Sequence, residues 1–170
     1  MIKRKICFVI TARPSYSRIR TVLKSVKNNK NLKLQIVLAA SASLENYGNI
    51  AEVINKDGFN IDSIVTNAIT GESLMSMAKT TGLGIIELST VFENLKPHAV
   101  VTIADRFETI STAIASSYLN IPLIHVQGGE VTGSIDEKVR HSITKLADIH
   151  FVATKGAAER IKKLGESKKS

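Results

Sequence analysis

The chain has 170 residues, of which 44% are hydrophobic and 22% are charged. These values are typical of a globular domain, and they exclude a disordered, collagen-like or disulfide-based scaffold. The net charge is +8, and ten of the 23 basic residues lie within the first 33 positions, where no acidic residue occurs. A basic end can bind a polyanion, but aromatic residues make up only 5% and offer few platforms for stacked bases. We therefore expect no nucleic-acid partner.

The apolar runs of the sequence are too short to span a membrane. The longest, such as Ile6–Ile10, fall far short of the roughly 20 residues that a transmembrane helix needs. A basic start at Lys3–Lys5 is followed by no cleavage site typical of a signal peptide. We expect a cytoplasmic protein without a membrane partner. The single cysteine, Cys7, lies inside an apolar run and is expected in the core.

Strand-like apolar runs alternate with helix-like segments along the chain. Several runs are apolar at nearly every position, which is typical of strands buried on both faces of a parallel sheet. Pro14 favours a helix start, and a long helix is predicted to end before Pro97. The repeated order predicts an α/β fold with a Rossmann-like, doubly wound parallel sheet of about six strands. The runs are Ile6–Ile10, Leu34–Leu38, Phe59–Val65, Ala99–Ile103, Leu123–Val126 and Ile149–Val152.

The chain is predicted to divide into one domain and a short tail. Residues 1–160 hold every predicted strand and nearly all of the helical pattern. Residues 161–170 turn polar without a further strand or capping element. We therefore predict a Rossmann-like domain over residues 1–160 and the start of an interdomain linker over residues 161–170.

The turn after the first strand is rich in cations and hydroxyls. It contains Arg13, Ser17 and Arg18 at a helix start. Ligands of a doubly wound sheet bind outside the carboxyl ends of its strands, and helix N–H groups, guanidinium forks and hydroxyls suit a phosphate. No glycine-rich dinucleotide motif follows any strand. The turn predicts a phosphate site, with ordinary surface charges as the alternative for the two arginines.

Asp105 directly follows the fourth predicted strand and precedes a helix. An acid at this position either caps the helix or serves as a site carboxylate, and the local sequence leaves both open.

The segment after the fifth predicted strand is the richest in polar residues. Three glycines within residues 128–133 allow a ligand to approach the backbone closely. Asp136 and Arg140 follow at a spacing of four, which puts them on one face of the predicted helix. They either pair with each other or point together at a substrate.

Three motifs together carry a resemblance to a known family. They occupy residues 13–17, residues 105–106 and the long stretch from Gly128 to Leu146. With these motifs the chain resembles the hydrolysing UDP-N-acetylglucosamine 2-epimerases, which make N-acetylmannosamine-type sugars for sialic and legionaminic acids. The resemblance implies one half of a glycosyltransferase-B-type fold, in which two Rossmann-like domains close on the substrate. Only the N-terminal domain is resembled.

The resemblance also implies a two-stage reaction, in which UDP is eliminated and water is then added to the sugar. Arg13 and Ser17 match phosphate-contact positions of the family, and Asp105 and Asp136 match acidic catalytic positions. Many relatives have a glutamate where this chain has Gln127, and an amide cannot carry the proton. Either Gln127 only orients the ring or water, or the acid–base work falls to Glu130 or Asp136. The expected substrate-binding residues are Arg13, Ser17, Arg18, Arg106, Arg140 and His141.

The resemblance further implies a UDP-sugar substrate and, at full length, a homo-oligomer. The four histidines and Cys7 lack metal-ligand spacing, so we predict no metal ion, and we expect no cofactor. Three alternatives stay open: another sugar-nucleotide-binding enzyme domain of the same fold, a non-catalytic polyanion-binding module, and a purely structural domain.

Overall fold

The structure, a computed structural model, describes residues 2–44, 48–71, 73–103 and 106–167. In this part of the chain, strands and helices alternate as predicted. The strands are β1 (Arg4–Ile10), β2 (Leu32–Leu38), β3 (Ser63–Ile64), β4 (Ala99–Ile103), β5 (Leu123–Val126) and β6 (Ile149–Phe151). The helices are α1 (Arg13–Asn28), α2 (Ile50–Lys56), α3 (Leu74–Leu95), α4 (Ile110–Tyr118), α5 (Ile135–Leu146) and α6 (Lys155–Lys163).

The six strands form one parallel sheet in the order β3-β2-β1-β4-β5-β6. Right-handed crossovers put α1 and α2 on one face and α3, α4 and α5 on the other. The predicted doubly wound α/β fold is therefore confirmed. Every crossover brings the chain back to the amino end of the sheet before the next strand begins. The loops that directly follow the strands therefore all lie at the opposite end, the carboxyl rim of the sheet.

The core is built by strands that bury both of their faces. In β1, Cys7 and Val9 pack against one layer of helices, while Phe8 and Ile10 pack against the other. Cys7 is fully buried, and burial raises the pKa of its thiol far above the ordinary value. The prediction of Cys7 as a core residue is confirmed.

The third strand is much shorter than the apolar pattern suggests. The run Phe59–Val65 predicts seven strand residues, but only Ser63 and Ile64 pair as a strand with β2. The Asp62 carboxylate accepts a hydrogen bond of 2.8 Å from the backbone N–H of Ile36. The Asp62 N–H in turn donates to the Ile36 carbonyl at 2.8 Å, so a side-chain oxygen takes the place of one backbone acceptor in the ladder.

The end of the described chain packs against α5 and β6. Helix α6 includes residues 161–163, and beyond it the Glu166 carboxylate lies 2.5 Å from Lys145 Nζ and 3.5 Å from His150 Nε2. The start of a linker at residue 161 stays a prediction. None of the helices in the described part of the chain combines the length and apolar character that crossing a membrane requires.

Candidate functional site at the carboxyl rim

Two residues that flank the first and the third motif touch at the carboxyl rim. Arg18, on the first turns of α1, donates a hydrogen bond of 3.0 Å from Nη1 to the side-chain oxygen of Gln127, directly after β5. The residues are 109 positions apart in sequence, so the contact depends on β1, β4 and β5 lying side by side. Asp105, the acid of the second motif, lies outside the described residues.

A cleft of about 360 Å³ opens between these two segments. Gln127 lines the cleft. Its backbone takes a left-handed conformation (φ +66°), and its N–H donates to the Phe151 carbonyl at 2.7 Å. Two residues further on, the Gly129 carbonyl accepts a hydrogen bond of 2.7 Å from Arg160 of α6. The cleft is lined by Arg18, Gln127, Glu130, Val131, Thr132, Arg140 and Ala153.

Arg140 is almost completely buried beneath this loop, with only 1% of its surface exposed. Its guanidinium donates to the Glu130 carbonyl and, at 3.3 Å, to the hydroxyl of Thr132. Burial lowers the pKa of this guanidinium. An ion pair with Asp136, one of the two alternatives that the sequence leaves open, is absent from the described residues. Arg140 instead fixes the loop that carries Glu130.

Glu137 stabilises the same loop from the start of α5. Ser134 caps the helix by accepting from the Asp136 N–H, and the Glu137 carboxylate accepts from the N–H groups of Thr132 and Gly133 at 2.8 and 2.6 Å. These two backbone bonds lower the pKa of Glu137. His141 Nε2 lies 3.7 Å from the same carboxylate. Glu137 and His141 therefore form part of the loop's support, whereas Asp136, next to Glu137, is partly exposed.

A buried carboxylate at the β4–α4 connection was not predicted as a site residue. Glu108 is 2% exposed, and its Oε1 accepts a hydrogen bond of 3.0 Å from Arg106 Nε. Burial raises the pKa of Glu108; the Arg106 charge opposes this, and the negative charge of Asp136 adds to it. The negative charge of Asp136 thus disfavours the ionised form of Glu108. The only sequence signal was the position of Glu108 shortly after a buried strand.

The remaining predicted phosphate-binding residues lie at the start of α1. Arg13 and Ser17 are exposed, and α1 begins without a side-chain cap. The Arg13 guanidinium lies against Gly48, where an added Cβ would be 3.1 Å from Nη1. The hydroxyl, guanidinium and helix N–H groups at this end suit an anion. The phosphate-binding roles of these residues stay predictions.

Glu108→Gln is expected to stabilise the fold at neutral pH and to lose that advantage in acid. The folded protein raises the pKa of Glu108, so it binds more protons than the unfolded chain does, and stability falls as the pH rises from the unfolded pKa toward the folded one. The amide removes this loss. Denaturant unfolding at a series of pH values from 4 to 7 should show the difference between variant and parent growing with pH. Glu159→Gln, at an exposed position of α6, should show no such trend. A pH-independent difference for Glu108→Gln would contradict the burial argument.

Comparison with solved structures shows the same fold. A crystal structure of a UDP-N-acetylglucosamine 2-epimerase superimposes with a TM-score of 0.87 at 21% identity, over 99% of this chain and 47% of that one. A Streptomyces glycosyltransferase matches with a TM-score of 0.53 at 10% identity, over 82% of this chain and 43% of that one. The chain therefore has the Rossmann-like architecture of one half of a glycosyltransferase-B-type protein.

Sequence comparison shows the family. The family model for UDP-N-acetylglucosamine 2-epimerase matches residues 24–170, so the chain belongs to this family. A Legionella pneumophila relative, the hydrolysing UDP-N,N'-diacetylbacillosamine 2-epimerase, is 36% identical over 167 residues. The match covers 98% of this chain and 44% of that protein. The chain thus spans less than half the length of that relative.

Proposed function

We propose that the chain forms the N-terminal half of a hydrolysing 2-epimerase that acts on a UDP-linked 2-acetamido sugar. Family membership and the hydrolysing Legionella relative support this reaction class. The observation that carries it is the carboxyl rim, where Arg18 and Gln127 meet and Glu108 lies within electrostatic reach of Asp136. Cations for a diphosphate and carboxyls for proton transfer are the groups this reaction needs.

The reaction begins with an elimination. A base removes the proton from C2 of the sugar, and the electrons of that C–H bond form a double bond between C1 and C2. The bond from C1 to the diphosphate oxygen breaks, and UDP leaves with its electrons. Water then adds a hydroxyl to C1 and a proton to C2 from the opposite face, which gives free UDP and the free 2-epimer.

The leaving diphosphate needs positive charge and N–H donors. Arg13, Ser17 and Arg18 supply a guanidinium pair and a hydroxyl at the uncapped start of α1. The N–H groups of the first helical turn add donors, and the helix dipole favours negative charge there. In this proposal these three residues bind the diphosphate, and Arg106 and His141 contact the outer part of the substrate.

The proton transfers fall to carboxyl groups, since Gln127 carries an amide. Asp136 is partly exposed at the start of α5, and its position matches an acidic position of the family, as does that of Asp105. The Glu130 carboxyl lies in the cleft, 3.5 Å from the Thr154 hydroxyl. We assign acid–base roles to Asp105, Glu130 and Asp136. Gln127, held by Arg18, orients the sugar or the attacking water.

The polyanion-binding alternative requires only the cations of this rim. It gives no role to the buried Glu108, whose pKa is raised mainly by burial and to a smaller extent by the charge of Asp136. A buried carboxyl near a second carboxyl is costly, and such pairs concentrate at sites of proton transfer. The carboxyl pair therefore favours an enzyme over a polyanion module.

We further propose that a second Rossmann-like domain closes on this rim in the full-length enzyme. The domain would span residues 1–160, and residues 161–170 would begin the linker. A single half leaves the cleft open to water and holds the diphosphate from one side only, which is a poor setting for a charged leaving group.

The test compares this chain with the same reading frame extended to the length of its relatives. Each protein is incubated with UDP-N-acetylglucosamine and, separately, with UDP-N,N'-diacetylbacillosamine, and released UDP is measured by a coupled assay. The extended protein should release UDP from at least one of them, and the 170-residue chain should stay below about 1 turnover per second. UDP release by the 170-residue chain at that rate would contradict the two-domain proposal. An epimerised sugar that remains attached to UDP would contradict the hydrolysing reaction.

A further inference from the structure

Another cavity at the carboxyl rim, the Glu108 cavity, has a volume of about 150 Å³. Its wall comes from the loops that follow β2, β3 and β4 and from α3. Among the described residues, none lines both this cavity and the cleft between Arg18 and Gln127. Glu108 contributes a carboxyl group, whereas much of the remaining wall is apolar. The apolar lining residues include Leu44, Ala68, Ile69 and Phe107.

Glu108 brings an unused hydrogen-bond acceptor to this cavity. Its Oε1 accepts from Arg106, but its Oε2 is buried and makes no hydrogen bond with the residues that the structure describes. Buried polar atoms are nearly always paired, because an unpaired one loses its hydration without compensation. A group that enters the cavity and donates to Oε2 would remove this cost.

The wall of the Glu108 cavity is held in place by buried polar contacts. The Asn67 side chain accepts from the Ala40 N–H at 2.8 Å and donates to the Thr80 carbonyl at 3.1 Å, so it ties the loop after β2 to α3. The Ile69 N–H donates to the Thr80 hydroxyl at 2.9 Å. Ala40 takes a left-handed conformation (φ +51°), which is costly for a residue other than glycine and is enriched at ligand sites. The cavity is therefore pre-formed, as small-molecule sites usually are.

The Glu108 cavity borders both groups of residues that the proposed function uses. Ser41 in its wall donates from its hydroxyl to the Thr11 carbonyl at 2.9 Å, two residues before Arg13 and the proposed diphosphate site. The charge of Asp136 raises the pKa of Glu108, so the proposed acid–base group is within electrostatic reach of the cavity. In the sugar, C2 is bonded to C1, which carries the diphosphate. A substituent at C2 is therefore close to both the diphosphate and the proton that moves.

We propose that the Glu108 cavity binds the acetamido group at C2 of the sugar, an inference that rests on the proposed function. The amide N–H donates to Glu108 Oε2, and the methyl group packs against the apolar wall at Ala68 and Ile69. Glu108 is thus a positioning residue. By holding the acetamido group it fixes the direction of the C2–H bond relative to the carboxyl groups that move its proton.

The test is isothermal titration of the full-length protein with UDP, UDP-glucose and UDP-N-acetylglucosamine, in an Asp136→Asn background that slows turnover. UDP-glucose differs from UDP-N-acetylglucosamine only by a hydroxyl at C2, so the ratio of their dissociation constants isolates the acetamido group. UDP-N-acetylglucosamine should bind about tenfold more tightly than UDP-glucose, because it gains a buried hydrogen bond and an apolar contact.

Two further substitutions, each added to this background, should remove that selectivity. Glu108→Leu deletes the acceptor, and it leaves Arg106 solvated because that side chain is 52% exposed. Ala68→Leu fills the cavity from its apolar wall. In both, the ratio should fall toward one while the affinity for UDP stays unchanged, which also shows that the rim remains folded. Glu87→Leu, at an exposed position of α3, should keep the ratio of the background protein.

The proposed function is measured separately, as UDP release by the full-length protein without substitutions. A protein that releases UDP but keeps its acetamido selectivity in Glu108→Leu and Ala68→Leu overturns this inference alone. If the background protein does not bind UDP-N-acetylglucosamine more tightly than UDP-glucose, the inference is overturned whether or not UDP is released.

Discussion

Asp136→Asn is expected to lower turnover of the full-length enzyme by about 100-fold, because a positioned acid–base group contributes about that much to the rate. The amide has nearly the shape of the carboxylate and leaves the backbone N–H of residue 136 on the Ser134 cap. The fold should therefore persist. The loss should appear in kcat more than in KM, since the proton moves in the transition state.

Steady-state UDP release measures this effect, and circular dichroism checks the fold. Glu52→Gln serves as the control, because Glu52 is an exposed residue of α2 whose ion-pair partner is Lys56 of the same helix. It should keep normal turnover. Near-normal turnover in Asp136→Asn would remove Asp136 from the chemistry and leave it a role in starting α5.

A second large effect is expected in the loop between β5 and α5, where Gly129→Ala should destabilise the chain by about 3 kcal/mol. Gly129 has a positive φ of +79°, and an added Cβ would lie 2.5 Å from the carbonyl oxygen of Ala157 in α6. Because the nearest atoms belong to the backbone of Ala157, the backbone must shift both at residue 129 and in α6. Arg160 donates to the Gly129 carbonyl at 2.7 Å, so the displaced segment would also lose a link to α6.

Gly133→Ala separates the cost of the clash from the cost of the backbone conformation. Gly133 has a similar φ of +73°, but a Cβ there would meet no atom within 4 Å. Its replacement should cost only about 1 kcal/mol, the penalty of a left-handed non-glycine residue. Denaturant unfolding of both variants measures the difference. Equal losses of unfolding free energy would mean that the close approach of Gly129 to Ala157 adds nothing to the cost of the substitution.

The architecture could be predicted from the sequence because its strands are buried on both faces. Helices cover both faces of β1, so residues 6–10 are apolar without interruption and the strand is easy to locate in the sequence. The edge strand β3 lacks this constraint. Its pairing with β2 is partly taken over by the Asp62 side chain, which a hydrophobic pattern does not reveal.

The rim that carries the candidate site could also be predicted, since parallel strand order alone gathers the loops there. The hydrogen-bond partners of the individual side chains at the rim could not be predicted. A spacing of four made Arg140 a natural partner for Asp136, yet burial turns its guanidinium to the carbonyl of Glu130 and the hydroxyl of Thr132. Glu108 was passed over because burial of a charged residue depends on packing between α4 and its neighbours, which no local pattern records.

The central claim, elimination of UDP followed by hydration at this rim, is tested most directly by running the reaction of the full-length enzyme in D₂O. The proton that returns to C2 comes from solvent in this account. Proton NMR should therefore show free UDP and a free 2-epimer that carries deuterium at C2. A product that retains the original C2 proton, or a sugar still attached to UDP, would contradict the account.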